Sequence, residues 1–229
     1  MIRAGEALER LRVGNLRFSK GLAAPESRLS RRRILELPAE QKPFAIILGC
    51  SDARVPAEII FDQGLGDLFV IRVAGNVVAP SQIGSIEFAA ARFGTRLVVV
   101  LGHSRCGAVL ATLEELRRPE TGGSANIRSI VEFIRPSVEP LLPGGSGSPS
   151  FAPSFEDEES LVRQAVTANV RTSVARLRHG SEVLDDLIQR DGLVIAGAEY
   201  SLETGRVEFH QVDSGGADSE PVDSGLNRD

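Results

Sequence analysis

The chain has 229 residues, of which 42% are hydrophobic, and this length and composition can support one core of moderate size. Its formal net charge is −5, and most of that charge lies in residues 213–229, where five acidic residues face one arginine. The rest of the chain is nearly neutral and offers no basic surface for nucleic acid or an anionic membrane. Its apolar runs are also too short to cross a bilayer. We therefore predict a single domain over residues 1–212, with no nucleic-acid or membrane partner, and a disordered acidic tail over residues 213–229.

The amino terminus and the cysteine count both bear on location. The first residues include the charged Arg3, Glu6 and Glu9, which interrupt the apolar segment that a secretory signal needs. Only two cysteines occur, Cys50 and Cys106, which is too few for a disulfide framework. These features favour a cytoplasmic location in which both thiols stay reduced.

Apolar patterns predict the helices and strands in chain order. From Gly5 to Lys20, apolar residues recur at helical spacing among arginines and glutamates, which predicts an amphipathic helix. Four continuous apolar runs are typical of buried parallel strands, and one alternating run after a turn is typical of a hairpin partner. The runs are Phe44–Gly49, Leu68–Val73, Arg96–Gly102 and Leu193–Ala198, and the hairpin partner is Arg206–Val212. Further helices are predicted at Ser85–Arg92, near Ile127–Ile134 and at Glu156–Arg178.

Strands that are separated by helical segments define the fold class. Parallel strands need crossover connections, and a strand that follows its neighbour after a short turn pairs with it in the antiparallel direction. We therefore predict an α/β fold with a mostly parallel four-stranded sheet, an antiparallel edge strand and flanking helices.

Three side chains suited to a metal ion follow two of the predicted strands. Cys50 comes directly after the first strand, and His103 and Cys106 come after the third. Ligands in open α/β sheets gather at the carboxyl ends of the strands, so we expect these residues to converge. Either cysteine alone is explained as a small buried hydrophobic residue. Their shared placement with a histidine instead predicts a zinc site, because zinc favours thiolate and imidazole ligands.

An acidic and a basic residue, Asp52 and Arg54, lie just after the first of these ligands. Side chains two residues apart on an alternating turn can point into the same small volume. Such a pair is commonly a structural ion pair. Beside a metal, however, the carboxylate either coordinates the ion or is held away from it by the guanidinium. Three protein ligands leave a position open for water, whereas a fourth closes the site.

Three motifs resemble those of a known family. They are CSDARVPAE at 50–58, FDQGLGDLFVIRVAGN at 61–76 and GHSRCGAV at 102–109. In this combination and order, the sequence resembles the β-class carbonic anhydrases of bacteria and plants. The resemblance extends from the N-terminal helix to the edge hairpin near Phe209.

The resemblance implies a cofactor and a set of site residues. Zn²⁺ would be held by Cys50, His103 and Cys106. Asp52 and Arg54 would form a catalytic dyad, with Asp52 as an alternative fourth ligand in a closed state. The reaction would be the reversible hydration of carbon dioxide to bicarbonate and a proton, by attack of zinc-bound hydroxide.

The resemblance also implies a substrate pocket and an assembly. Gln41 and the backbone N–H of Gly107 would contact the bound substrate or anion, and Phe69 and Phe88 would line the space for carbon dioxide. The N-terminal helix would pack on a partner subunit in a homodimer or a higher homo-oligomer. Gln41 and Phe88 would then serve the zinc of the opposite subunit.

Two alternatives remain open on these residues. The same site would also suit hydrolysis of carbon disulfide or carbonyl sulfide, which are linear molecules like carbon dioxide. Alternatively, the chain is a non-catalytic zinc-binding scaffold whose site is permanently closed by Asp52. Comparing turnover of carbon dioxide, carbon disulfide and carbonyl sulfide distinguishes a hydrolase from a carbonic anhydrase. Bound zinc without carbon dioxide hydration at any pH would indicate the scaffold.

Overall fold

A computed structural model describes residues 2–23, 40–118, 124–142 and 155–210. The strands are β1 Ala45–Gly49, β2 Leu68–Arg72, β3 Leu97–His103, β4 Val194–Tyr200 and β5 Val207–Phe209. The helices are α1 Ala4–Ser19, α2 Ala57–Ile60, α3 Pro80–Arg92, α4 Gly107–Arg117, α5 Ala125–Val138, α6 Phe155–His179 and α7 Glu182–Asp191. Short 3-10 turns lie at Ala74–Asn76 and Glu139–Leu141. The predicted tail, residues 213–229, lies outside the described residues, so its disorder and the domain limit at residue 212 stay predictions.

The five strands form one sheet in the order β2-β1-β3-β4-β5. The first four are parallel and β5 is antiparallel to β4, which confirms the predicted α/β fold with an antiparallel edge. Every residue of β1 and β3 is buried, as expected of continuous apolar runs covered on both faces. Among the described residues, no helix has the length and apolar character needed to span a membrane.

Helices cover both faces of the sheet because alternate residues of each strand point to opposite sides. Ile47 and Val99 face the layer formed by α1 and α2, whereas Ile46 and Val98 face α3, α6 and α7. A third cluster of buried residues lies beyond the strand ends and includes both cysteines together with residues of α4, α5 and α6. The carboxyl ends of β1 and β3 thus open into a region enclosed by helices.

The N-terminal helix is amphipathic, as predicted, and its apolar stripe is buried in this chain's own core. The stripe consists of Ala4, Ala7, Leu8 and Leu11, which pack in the same cluster as residues of β1 and β3. The burial of this stripe therefore gives no evidence for contact with a partner subunit. That contact stays a prediction.

A buried asparagine fixes α1 to the rest of the domain. The Asn15 amide donates to Ile60 O at 3.2 Å and to Gly205 O at 3.0 Å, and its oxygen accepts from Val207 N at 2.8 Å. Only 5% of Asn15 is exposed, so water cannot readily replace these bonds. One side chain therefore joins α1, α2 and the β4–β5 turn.

We predict that Asn15→Ala lowers the free energy of unfolding by about 2–4 kcal/mol, because several buried backbone groups lose their partner at once. Urea denaturation followed by circular dichroism measures the change. Ser19→Ala on the same helix is the control, since that exposed hydroxyl donates to Leu16 O within the helix itself. Equal stability of the two variants would show that Asn15 does not anchor the helix.

Candidate metal centre

Three potential ligands meet at the carboxyl ends of two adjacent parallel strands. Cys50 follows β1, His103 ends β3, and Cys106 precedes α4. Their ligand atoms all lie within 4.8 Å of one another, with 4.0 Å between the two Sγ atoms, and both thiols are free. No second group of three His, Cys, Asp or Glu ligands forms in the described part of the chain. The structure thus brings together the three residues that strand-end placement singled out.

The tautomer of His103 follows from its hydrogen bond. Nδ1 lies 2.9 Å from Ser104 O, and because a carbonyl oxygen only accepts, Nδ1 carries the proton. In the neutral ring, Nε2 is then the nitrogen with the free lone pair. It is buried and has no hydrogen-bond partner. A buried acceptor without a donor is costly unless a cation completes it, so this nitrogen and the two sulfurs fit a thiophilic metal ion.

A hydrogen bond between the two thiols separates their pKa values. The pKa of Cys50 is lowered to about 4, chiefly because the Cys106 thiol donates a hydrogen bond to its thiolate. The pKa of Cys106 is raised by the same hydrogen bond, since losing that proton would leave two adjacent thiolates, and burial raises it further. This arrangement favours a cation between the sulfurs.

Asp52 and Arg54 form a bidentate pair at the edge of this cluster. Arg54 Nε donates to Asp52 Oδ1 at 3.0 Å and Nη2 donates to Oδ2 at 2.7 Å, while the backbone N–H of Arg54 donates to Oδ1 at 2.9 Å. The hydrogen bonds from the Arg54 side chain are the main reason that the pKa of Asp52 lies well below its usual range. Oδ2 also lies 3.9 Å from His103 Nε2. The carboxylate is thus ionised, held by the guanidinium and close to the three potential ligands.

Two residues whose contacts hold the loops of the potential ligands, Arg72 and Glu203, were not predicted from the sequence. Arg72, at the end of β2, donates from Nε to Cys50 O at 3.0 Å and from Nη2 to Asp52 O. Glu203 accepts from the Ser104 hydroxyl at 2.8 Å and pairs with Arg105, which has a left-handed φ of 54°. A signal for Arg72 was available, since it ends a strand beside β1. None was available for Glu203, which is about a hundred residues from Ser104 in the sequence.

Of the predicted substrate contacts, only Gly107 is next to the cluster. It is the first residue of α4, where backbone N–H groups have no partner within the helix. A Cβ atom built at this glycine would meet no atom within 4 Å, so there is space beside it.

The structure does not bring Gln41, Phe69 or Phe88 to the cluster of the same chain. Gln41 is exposed and lines a cavity of about 510 Å³ before the start of β1, whereas Cys50 follows the end of that strand, roughly 16 Å further along. Phe69 pairs with Ile46, about 13 Å along the strand from Cys50, and its ring centroid lies 6.5 Å from that of Phe88. Phe88 itself is 54% exposed. These three residues therefore do not contribute to the cluster of their own chain.

The remaining histidines do not contribute to the cluster. His179 is exposed at the end of α6, and His210 Nε2 lies 2.8 Å from Glu199 Oε1.

Comparisons with known proteins identify the family. Residues 45–207 match the carbonic anhydrase family model. A carbonic anhydrase of Mycolicibacterium smegmatis is 40% identical over 203 residues, covering 89% of this chain and 91% of the relative. Carbonic anhydrase 2 of Mycobacterium tuberculosis is 40% identical over 200 residues, covering 87% and 89%.

A solved structure agrees with these matches. One of two tetrameric β-carbonic anhydrases of Sordaria macrospora is similar with a TM-score of 0.63 and 25% identity, covering 77% of this chain and 84% of that one. The family match spans both strands that end in the cysteine and histidine ligands, and the sheet order accounts for how those ligands meet. The chain belongs to the β-class carbonic anhydrases.

Proposed function

We propose that the chain catalyses the reversible hydration of carbon dioxide to bicarbonate and a proton, with Zn²⁺ held by Cys50, His103 and Cys106. The observation that supports this most directly is the buried, unpartnered Nε2 of His103 beside two free thiols, within a carbonic anhydrase family match. Zinc supplies a Lewis acid that lowers the pKa of water to about 7, the value known for carbonic anhydrases with three histidine ligands. A cytoplasmic location, where thiols stay reduced, remains part of this proposal.

Each residue around the ligands then has a distinct task. The Asp52 carboxylate accepts a hydrogen bond from the attacking oxygen and orients it toward the substrate carbon. Arg54 keeps this carboxylate ionised and turned away from the metal ligands. The N–H of Gly107 donates to the substrate oxygen on which negative charge develops, in the manner of an oxyanion hole.

An assay on one purified sample tests the proposal against its alternatives. We expect about one zinc per chain and carbon dioxide hydration that a chelator abolishes and added zinc restores. Turnover of carbonyl sulfide and carbon disulfide should be much slower. Stoichiometric zinc without hydration at any pH would instead identify a scaffold closed by Asp52, and faster turnover of a sulfur compound would identify a hydrolase.

We also propose that the active enzyme is a homo-oligomer in which a second subunit completes each site. Gln41 and Phe88 lie far from the cluster of their own chain, and Phe88 is exposed in an aromatic group with Phe69 and Phe93. The similarity to tetrameric β-carbonic anhydrases is consistent with such an assembly.

Mixed oligomers test which subunit supplies Gln41. Cys106→Ser removes a metal ligand and Gln41→Ala removes the amide, so we expect low activity from either variant alone. When the two are coexpressed, a metal site of the Gln41→Ala subunit receives intact Gln41 from its Cys106→Ser partner. Activity should then rise several-fold above the mean of the two homo-oligomers. No gain in purified mixed oligomers would show that Gln41 acts within its own chain or not at all.

A further inference from the structure

The 3-10 turn after β2 has an unusual backbone that brings an N–H group to one of the proposed metal ligands. Gly75 and Asn76 both have left-handed φ angles, 69° and 44°. The N–H of Gly75 lies 3.4 Å from Cys50 Sγ, within hydrogen-bonding distance for sulfur. A Cβ atom at Gly75 would lie 2.7 Å from Ile134 Cδ1 and 3.0 Å from Ala108 Cβ, so this position, with its left-handed φ, favours glycine.

Two polar side chains of α6 hold this turn. Asn169 donates from Nδ2 to Gly75 O at 2.8 Å, and Ser173, one helical turn later, donates from Oγ to Asn76 O at 3.1 Å. Asn169 is 2% exposed and Ser173 is 1% exposed. Asparagine is a poor helix former, and burying its amide costs free energy unless the amide is hydrogen-bonded. Its contact with the turn therefore explains why a polar residue occupies this buried face of α6.

We propose that Asn169 is a positioning residue for the metal centre, acting through Gly75 on the Cys50 thiolate. By holding the carbonyl of Gly75, Asn169 fixes the left-handed turn in which the Gly75 N–H points at Cys50 Sγ. A hydrogen bond to a thiolate withdraws electron density from sulfur, so the thiolate donates less charge to the metal. The metal would then be a stronger Lewis acid than it would be with two thiolates that accept no such hydrogen bond. This inference rests on the proposed metal site.

The test replaces zinc with Co²⁺, because the energy of the thiolate-to-cobalt charge-transfer absorption reports the electron donation of sulfur. Asn169→Leu keeps the approximate volume but removes the donor to Gly75 O. We expect its charge-transfer band to shift to longer wavelength, since a thiolate without its N–H partner gives up an electron more easily. We also expect zinc affinity, measured by chelator competition, to fall on the order of ten-fold, because the turn no longer orients Cys50 Sγ and this loss outweighs the stronger electron donation.

Thr95→Val is the matched control. The Thr95 hydroxyl is also buried and donates to a backbone carbonyl, Pro43 O at 2.8 Å, but it lies before β3, away from the turn. This variant should lower the melting temperature and leave the cobalt spectrum unchanged. If Asn169→Leu also lowers the melting temperature without moving the band, Asn169 is merely structural and the proposal is overturned.

A second variant covers the case in which Asn169→Leu does not fold. Ser173→Ala removes only the bond to Asn76 O, and we expect a smaller shift of the band in the same direction. An unshifted band in folded Ser173→Ala, with Asn169→Leu unfolded, would also count against control of the thiolate by this turn. Failure of the wild-type protein to bind Co²⁺ or Zn²⁺ would instead refute the proposed metal site itself.

Discussion

Cys106→Ser is expected to lose both bound zinc and carbon dioxide hydration. The serine hydroxyl stays protonated at neutral pH and is a harder ligand than thiolate, so it cannot replace sulfur on zinc. The affinity for zinc should fall by more than the 10–100-fold that follows loss of an outer-shell partner. Carbon dioxide hydration, followed by stopped flow with a pH indicator, should drop to the uncatalysed rate.

Thr112→Ser provides a control on α4, the helix that follows Cys106. Thr112 is buried and its hydroxyl donates to Ala108 O at 2.8 Å, a bond that serine can keep. This variant should retain zinc and activity. Tightly held stoichiometric zinc in dialysed Cys106→Ser would remove Cys106 from the ligand set and leave the role of the cluster unexplained.

The sheet was predictable from the sequence because its central strands are covered on both faces. Continuous apolar runs such as Phe44–Gly49 and Arg96–Gly102 can be buried only at the centre of the sheet in a domain of this size. The structure places β1 within the first run, and β3 covers most of the second run and ends one residue later, at His103. The short helix α2 and the helices α4 and α7 were not predicted. Ser181 and Gly192 were available signals for α7, since Ser181 caps its first turn and Gly192 ends it with a left-handed φ of 67°.

Convergence of the potential ligands was also predictable, because parallel strands place their carboxyl ends at one edge of the sheet. The contacts that support those ligands were not. Asn169 and Gly75 are separated by 94 residues, and nothing in the local sequence of α6 shows which of its faces meets the turn. Their pairing depends on how α6 packs across the strand ends, which is a property of the folded chain.

The distance of Gln41 from the cluster of its own chain also follows from the sequence. Gln41 lies nine residues before Cys50, and a strand occupies most of that interval. An extended strand separates its two ends by roughly 3.3 Å per residue, so the two side chains lie at opposite edges of the sheet. Strand length alone therefore separates Gln41 from the potential metal ligands of its own chain, and its service to a second subunit stays a proposal.

Arg54→Ala is expected to retain zinc and lose most of its activity, at least ten-fold, near neutral pH. The substitution removes both side-chain hydrogen bonds from Arg54 to the Asp52 carboxylate and leaves the bond from the backbone N–H of residue 54. The pKa of Asp52 should rise toward its usual range, which still leaves the carboxylate ionised at pH 7. An ionised and unrestrained carboxylate, already 3.9 Å from His103 Nε2, would then be free to join the ligands.

Arg54→Lys separates the effect of charge from that of geometry. Lysine keeps the positive charge but cannot form the bidentate pair, so its activity should fall between those of the wild type and Arg54→Ala. X-ray absorption at the zinc edge should report four protein ligands in Arg54→Ala and three in the double variant Asp52→Ala, Arg54→Ala. The double variant should stay inactive, because Asp52 is also needed to orient the attacking oxygen.

These measurements distinguish gating of the metal from simple stabilisation of a loop. If Arg54 only stabilised the loop, Arg54→Ala and Arg54→Lys would lower the melting temperature without changing the number of protein ligands on zinc. Arg54→Ala with three protein ligands and unchanged activity at neutral pH would refute the gating role. If Arg54→Ala has unchanged zinc content and four protein ligands, removal of the guanidinium alone has closed the fourth coordination position of zinc. The Arg54–Asp52 pair then keeps that position accessible in the wild type.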